Sequence, residues 1–272
     1  LSGYEIPVLG LGTSPMDDDE TERVVTEALR VGYRLIDTAE NYRNEEGVGR
    51  GLRASGVERA KVFVTTKFNA EWHGEELAAR ALEASSERLG LDYVDLLLIH
   101  WPNPAQDRYV DAWRGLIKLR EAGLARSIGV SNFKIAHLQR LLDETGVVPE
   151  VNQIQLNPLV GRTELREFGA RHGIVTEAYS PIGKGGELLE EPIIVEIAER
   201  LGRTPAQVVL RWHVQRGDII FPKSITPARI EENFGIFDFE LDDEAMAAIS
   251  ALDRGEEGRT GPHPDRMDRL QT

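Results

Sequence analysis

The chain has 272 residues, room for one large α/β barrel or two ordinary domains, and its 41% hydrophobic content can support a sizeable core. A formal charge of −14 disfavours general nucleic-acid binding, which needs a basic face, yet leaves room for a local basic pocket around a phosphorylated cofactor. The absence of cysteine removes disulfides, thiolate nucleophiles and Cys-ligated metals, and fits a reducing cytosol.

The opening stretch LSGYEIPVLGLG has neither a basic n-region nor a long apolar core, so no signal peptide is expected. No apolar run approaches the roughly 18 residues of a spanning helix. A cytoplasmic protein is the expectation.

Taken in chain order, the candidate strands are PVLGLGT (7–13), YRLID (33–37), KVFVTTK (61–67), YVDLLLIH (93–100), ARSIGVSN (125–132), EVNQIQL (150–156), GIVTEAYS (173–180) and DIIFPKS (218–224). Between them lie stretches such as ETERVVTEALRVG, GEELAARALEASSERLG and DAWRGLIKLREAG. Their apolar residues recur at three- and four-residue spacing, and several end in the glycine that commonly caps a helix. Strands alternating with helices predict parallel βαβ units. No Ser/Gly/Pro-rich linker divides them, so residues 1–272 read as one domain. The repeat number and length fit a closed (β/α)8 barrel, typically about 250 residues, better than an open doubly wound sheet. TPAQVVLRWHVQRG (204–217) reads as an extra helix before the last strand. The tail from 253 to 272 is either a mobile terminus or a loop folded over the barrel mouth.

Barrel enzymes build their sites where strands end at their C-termini. Those ends deliver Asp37 with Tyr42 in the following loop, then Lys67, His100, Ser131–Asn132, Gln153 and Gln155, Tyr179–Ser180, and Lys223–Ser224. Each has an ordinary explanation alone: Asp37 as a helix cap, Lys67 as a solvated charge, His100 as a core histidine, Tyr42 as a packed ring. Their convergence on successive strand ends is what those explanations leave out. A tyrosine of pKa near ~10 keeps its proton at neutral pH. A neighbouring ammonium stabilises the phenolate and so lowers that pKa, while a carboxylate fixes the ammonium in place. A neutral histidine can orient a carbonyl oxygen. The set suits protonation of an oxygen as negative charge develops on it.

The runs LIDTAENYRNEEGVG, VTTK, LLLIHWP, RSIGVSNF, VNQIQLNP, EAYSPIG and FPKSITPARIEEN together resemble the aldo-keto reductase superfamily, from about Ile6 to Asp253. The similarity is greatest to the prokaryotic 2,5-diketo-D-gluconate reductase branch. It implies a TIM-type barrel with a catalytic tetrad of Asp37, Tyr42, Lys67 and His100, Tyr42 donating the proton and NADPH the hydride. By the same resemblance, Ser131, Asn132 and Gln153 hold the nicotinamide carboxamide, and Tyr179 stacks on the ring with Ser180 beside it. Lys223, Ser224 and Arg229 grip the 2′-phosphate, with Glu232 and Asn233 near the adenine, which favours NADPH over NADH. No Rossmann fingerprint competes: GLGTSP (10–15) fails at its last position, and GVGRG (47–51) does not follow a strand. The glycines of IGKGG (182–186) allow close approach to a pyrophosphate, or simply make a surface turn.

Three positions depart from the family pattern. Arg43 stands where relatives commonly have glycine, Leu35 where histidine is common, and Asn69 where close relatives carry an aromatic residue. Trp72 is a candidate to compensate, with Trp101 and Asn103 as further pocket walls. The expectation is a monomer reducing aldehydes and ketones, with small dicarbonyls and keto-sugars as leading substrates. The alternative is an NADPH-binding sensor or regulatory subunit with little turnover. The histidines at 73, 100, 137, 172, 213 and 263 form no pair at ligand spacing, so no metal is expected.

Overall fold

Eight parallel strands follow one another in chain order in a single sheet. They are β1 (Leu11–Gly12), β2 (Leu35–Asp37), β3 (Phe63–Phe68), β4 (Val94–Ile99), β5 (Ala125–Ser131), β6 (Val151–Gln155), β7 (Val175–Tyr179) and β8 (Ile219–Phe221). A parallel bridge between Leu9 and Ile220, with Gly10 N–H donating to the Ile220 carbonyl at 2.8 Å, brings the last strand back to the first. The protein, described by a computed structural model over residues 3–183 and 186–267, is thus a (β/α)8 barrel.

The helices of the outer ring are α1 (Asp18–Val31), α2 (Glu45–Ser55), α3 (Leu77–Leu89), α4 (Tyr109–Glu121), α5 (Ile135–Thr145), α6 (Thr163–His172) and α7 (Pro192–Leu201). The additional helix α8 (Pro205–Gln215) precedes β8 as expected, and α9 (Pro227–Phe234) and α10 (Asp243–Ser250) follow it. Helix starts are written in the sequence. Asp17 accepts a bond from Glu20 N–H ahead of α1, whose first turn is acidic and complements the helix dipole. Thr204 and Gln207 form a reciprocal capping box at α8, with Pro205 in the first turn.

β1 and β8 are shorter than the runs 7–13 and 218–224 read from the sequence. β8 stops at Phe221 because Pro222 has no N–H to continue the ladder. The GVGRG run lies in α2, where its glycines serve packing. A Cβ on Gly47 would fall 2.3 Å from the Asp18 carbonyl oxygen, and one on Gly49 would fall 2.0 Å from that of Leu89. No larger residue lets α1 and α3 approach so closely.

Side chains alternate across each strand, so one set packs under the helices and the other fills the barrel. The helix-facing set includes Ile36, Val64, Leu97 and Val130 in the main core. The inward set begins with an apolar plug of Leu35, Ile219 and Phe221 on one side and Leu96, Leu98 and Val151 on the other, with Ile6 and Phe63 against both. Leu35, one of the departures from the family pattern, belongs to this plug. Two residues further along the same strands the inward positions turn polar: Asp37, His100, Gln153 and, on β7, Glu177. The plug therefore seals one end and leaves a buried polar layer beneath the other.

The tail folds back over the mouth. Short helical turns at Gly255–Gly258 and Pro264–Arg266 flank Thr260–Pro262, which wall the cavity described below. Residues 268–272 of the tail and 184–185 of the IGKGG loop lie outside the described residues. Among the described residues no helix is long and apolar enough to cross a membrane.

Candidate active site

The strand ends open into a cavity of about 950 Å³. At its floor Lys67, fully buried on β3, donates from Nζ to Asp37 Oδ2 at 2.8 Å and to the Thr38 carbonyl at 2.9 Å. Its third bond runs to the Tyr42 hydroxyl at 3.4 Å. Asp37 is brought there by β2, whose Asp37 stands in register with Thr65 of β3, two residues before the lysine. Tyr42 reaches back from the short helical turn Glu40–Tyr42. Its ring meets the His100 ring edge-on at 5.8 Å between centroids, and His100 in turn lies against Trp101. The four residues singled out from the sequence are therefore assembled side by side.

Their protonation follows from burial. The Lys67 ammonium is penalised by desolvation, but Asp37 and Tyr42 outweigh that and raise its pKa, so it stays charged. Burial, reinforced by Lys67, holds His100 well below the usual histidine range, and the ring is neutral. Tyr42 corrects the expectation drawn from the sequence. Lys67 does pull the phenol down, but burial is the larger effect and its pKa is raised overall. The phenol therefore holds its proton.

Around this floor the remaining candidates line the wall. Ser131 Oγ donates to the Gln153 carbonyl at 2.9 Å, and Asn132 Nδ2 donates to the His100 carbonyl at 3.0 Å. Tyr179 Oη donates to Asn132 Oδ1 at 2.8 Å. Asn132 and Ser180 both adopt left-handed backbone, φ 63° and 50°, a conformation asparagine tolerates and serine takes less readily. At the far end Lys223, Ser224, Arg229, Glu232 and Asn233 line the same cavity around the start of α9. Thr204 Oγ1 ties Glu232 down at 2.9 Å. Among the described residues neither Lys223 nor Arg229 has a carboxylate at ion-pair distance.

The predicted substrate walls divide. Trp101 lines the cavity, whereas Trp72 and Asn103 do not. Trp72 is held away because its indole N–H donates to Glu40 Oε1 at 2.7 Å, so it does not replace the aromatic residue absent at Asn69. Asn69 is buried with its amide directed at the same Glu40. Arg43 is exposed and left-handed, outside the cavity lining.

Two features escaped the sequence reading. Glu177 is fully buried on β7 and accepts a bond from Gln153 Nε2 at 2.9 Å; the same nitrogen donates to Asp37 Oδ1 at 2.8 Å. The two-residue alternation that places Tyr179 inward would have placed Glu177 there too. Gln155 is tied to the tail, donating to Thr260 Oγ1 at 2.6 Å and accepting from Gly261 N–H at 3.1 Å. No local signal announces that long-range pair.

Residues 8–254 match the model of the Aldo/keto reductase family. The chain belongs to that family. As an aldo/keto reductase it is 52% identical over 265 residues to methylglyoxal reductase DkgA of Yersinia pestis, covering 97% of this chain and 94% of that protein. It is 48% identical over 267 residues to methylglyoxal reductase DkgA of Escherichia coli (strain K12), with 97% and 95% covered. Among solved structures, a mutant of Gox0644 in complex with NADPH superimposes with a TM-score of 0.93 at 47% identity, covering 97% of this chain and 95% of that one. A Bombyx mori aldo-keto reductase in complex with NADP gives 0.87 at 35% identity, covering 97% and 96%. This reductase is thus an oxidoreductase whose family acts on carbonyl groups.

Proposed function

We propose that this reductase binds NADPH along the cavity and reduces the carbonyl group of small aldehydes and ketones to an alcohol, with Tyr42 as the proton donor. The observation that carries the reading is the unbroken Asp37–Lys67–Tyr42 chain opening on the cavity beside a neutral His100.

The donor set fits the cofactor. Lys223 and Arg229, free of carboxylates among the described residues and placed at the start of α9, suit a 2′-phosphate, with Ser224 adding a hydroxyl. Ser131, Asn132 and Gln153 offer the hydroxyl and amide groups a carboxamide requires, while the Tyr179 ring suits the nicotinamide face with Ser180 beside it. Glu232 and Asn233 face the adenine end. Bound there, NADPH supplies hydride from its nicotinamide to the carbonyl carbon.

The chain's own residues supply the rest. His100, lacking charge, orients the substrate oxygen by hydrogen bonding without drawing in a counter-ion. Tyr42 releases its proton to that oxygen as negative charge develops, and Lys67 stabilises the phenolate left behind. Asp37 keeps Lys67 charged and aimed. Trp101 supplies an apolar wall. Small dicarbonyls lead the substrate classes, in keeping with the methylglyoxal reductase named among the relatives, and keto-sugars such as 2,5-diketo-D-gluconate-like compounds follow. Every residue given a role here lies in one chain, and the reading takes the reductase as a monomer.

The test is loss of NADPH absorbance with a panel of dicarbonyls, aldehydes and keto-sugars, comparing wild type with Tyr42→Phe. The variant is expected to keep NADPH affinity and lose about 10²- to 10⁴-fold in kcat. Tight NADPH binding with no turnover of any carbonyl by the wild type would overturn the reading in favour of a sensor.

A further inference from the structure

Glu177 is a carboxyl group that the reduction just described does not use. It points into the barrel from β7, in register with Gln153 on β6, which is itself in register with Ser131 on β5. It is fully buried, and among the described residues its Oε1 has no hydrogen-bond partner. An unpaired carboxyl oxygen in a barrel interior costs free energy, so a purely structural site would be better filled by an apolar side chain.

What Glu177 does touch is Gln153. A glutamine amide nitrogen carries two N–H groups. Gln153 spends one on Asp37 Oδ1 at 2.8 Å and the other on Glu177 Oε2 at 2.9 Å. Turning that amide over would press its carbonyl oxygen against the Asp37 carboxylate and break the bond it now donates to Glu177. The amide orientation is therefore fixed, and the carbonyl oxygen is what Gln153 keeps for the cavity it lines. With Asp37 as sole acceptor, the second N–H would be buried and unpaired, and the amide would be held less firmly.

The chain of contacts continues from Asp37 to Lys67 at 2.8 Å and from Lys67 to the Tyr42 hydroxyl at 3.4 Å. Glu177 thus stands at its far end. The groups facing it are Gln153 from β6, Asp37 from β2 and Lys67 from β3, while its register partner on β8 is the apolar Ile219. Burial, joined by the Asp37 charge and opposed by Gln153 and Lys67, pushes Glu177 up to about 8. Near neutral pH it holds a proton, and above that range it places a second negative charge beside a single lysine.

We propose that Glu177 is a positioning residue of the reduction: its bond to Gln153 locks that amide with the carbonyl oxygen towards the cofactor site, and its proton sets the charge beside the Asp37–Lys67–Tyr42 chain. This rests on the reading that Ser131, Asn132 and Gln153 hold the nicotinamide carboxamide. Ionised Glu177 strengthens the hold of the phenol on its proton, so reduction slows as pH rises through about 8.

The experiment compares wild type, Glu177→Gln, Glu177→Met and Tyr42→Phe. Titration gives the NADPH dissociation constant, and kcat is followed against pH. The infrared carbonyl band of a buried carboxylic acid is followed in the cofactor-free protein. Glu177→Met, which removes the acceptor, is expected to weaken NADPH binding by about tenfold. Glu177→Gln, whose own carbonyl can accept from Gln153, is expected to recover most of that affinity. It should also lose the infrared band and the fall in kcat around pH 8. Unchanged NADPH affinity in Glu177→Met, with superimposable pH profiles and a shift only in melting temperature, overturns the proposal. If Glu177→Met does not fold, the infrared band and pH profile of Glu177→Gln decide alone. Full turnover by Tyr42→Phe would instead bring down the catalytic reading, whereas an inactive Tyr42→Phe beside wild-type behaviour at 177 brings down only this inference.

Discussion

Lys67 holds its ammonium 2.8 Å from the Asp37 carboxylate inside the barrel, where the two side chains are 0% and 4% exposed. Two charges so far from water are kept only by each other and by the bonds to Thr38, Tyr42 and Gln153. Removing one partner leaves the other buried and uncompensated, a loss of about 3–5 kcal/mol. Asp37→Asn is expected to lose about that much stability in chemical denaturation, together with most of kcat. Asp37→Asn combined with Lys67→Met is expected to recover much of the stability and none of the turnover. That separation marks the pair as maintained for chemistry at a structural cost; full additivity of the two stability losses would refute it.

His73 makes a prediction about acid. It is buried against Phe68, both ring nitrogens lack partners among the described residues, and desolvation with nearby Arg108 lowers its pKa to about 4. The folded value lies below the ordinary 6.5, so between those two pH values the unfolded chain binds a proton that the folded one refuses. Stability from this residue is complete above about pH 6.5 and drains away as pH falls towards 4, by roughly 3 kcal/mol in all. His73→Phe, which keeps an edge-to-face ring and has no proton to gain, should flatten that part of the curve. The measurement is denaturation midpoint against pH for both proteins, and parallel curves would remove His73 as the cause.

The cofactor end can be tested by charge. Lys223 and Arg229 line the cavity at the start of α9. A charged hydrogen bond contributes about 1.5–3 kcal/mol. Arg229→Ala is therefore expected to weaken NADPH binding about 10- to 100-fold and NADH binding far less, with Lys223→Ala adding to the difference. Equal weakening of both nucleotides would show that these cations do not read the 2′-phosphate.

How much of this could be read beforehand depended on the distance over which each signal acts. Period-two alternation and glycine-capped helical stretches are local, so the strands, α8 and the inward placement of Asp37, Lys67 and Gln153 were all legible. Strand ends were less so, because Pro222 ends β8 by removing a donor, three residues short of the strand run read from 218 to 224. Trp72 was misplaced because its position is set by Glu40, 32 residues away in sequence. The sign of the Tyr42 shift was missed for a similar reason: proximity to Lys67 was foreseeable, but the depth of burial that outweighs it belongs to the closed barrel.

The tail gives a last prediction. Gln155 exchanges two hydrogen bonds with Thr260 and Gly261, which wall the cavity along with Pro262. Gly258 packs so closely that a Cβ there would sit 2.0 Å from the Leu159 carbonyl oxygen. The outer tether, Lys134 to Asp265 at 2.7 Å, joins side chains 41% and 43% exposed, and such pairs contribute little in water. The inner pin should thus dominate. Gln155→Ala is expected to speed NADPH dissociation by about tenfold, from the loss of two bonds at roughly 0.5–1.5 kcal/mol each, and to expose the tail to cleavage at Arg259. Lys134→Ala should change neither by more than a small factor. Stopped-flow release of NADPH and limited trypsin digestion read the two effects. Equal behaviour of the two variants would mean that the tail is held at its rim and not at the strand end.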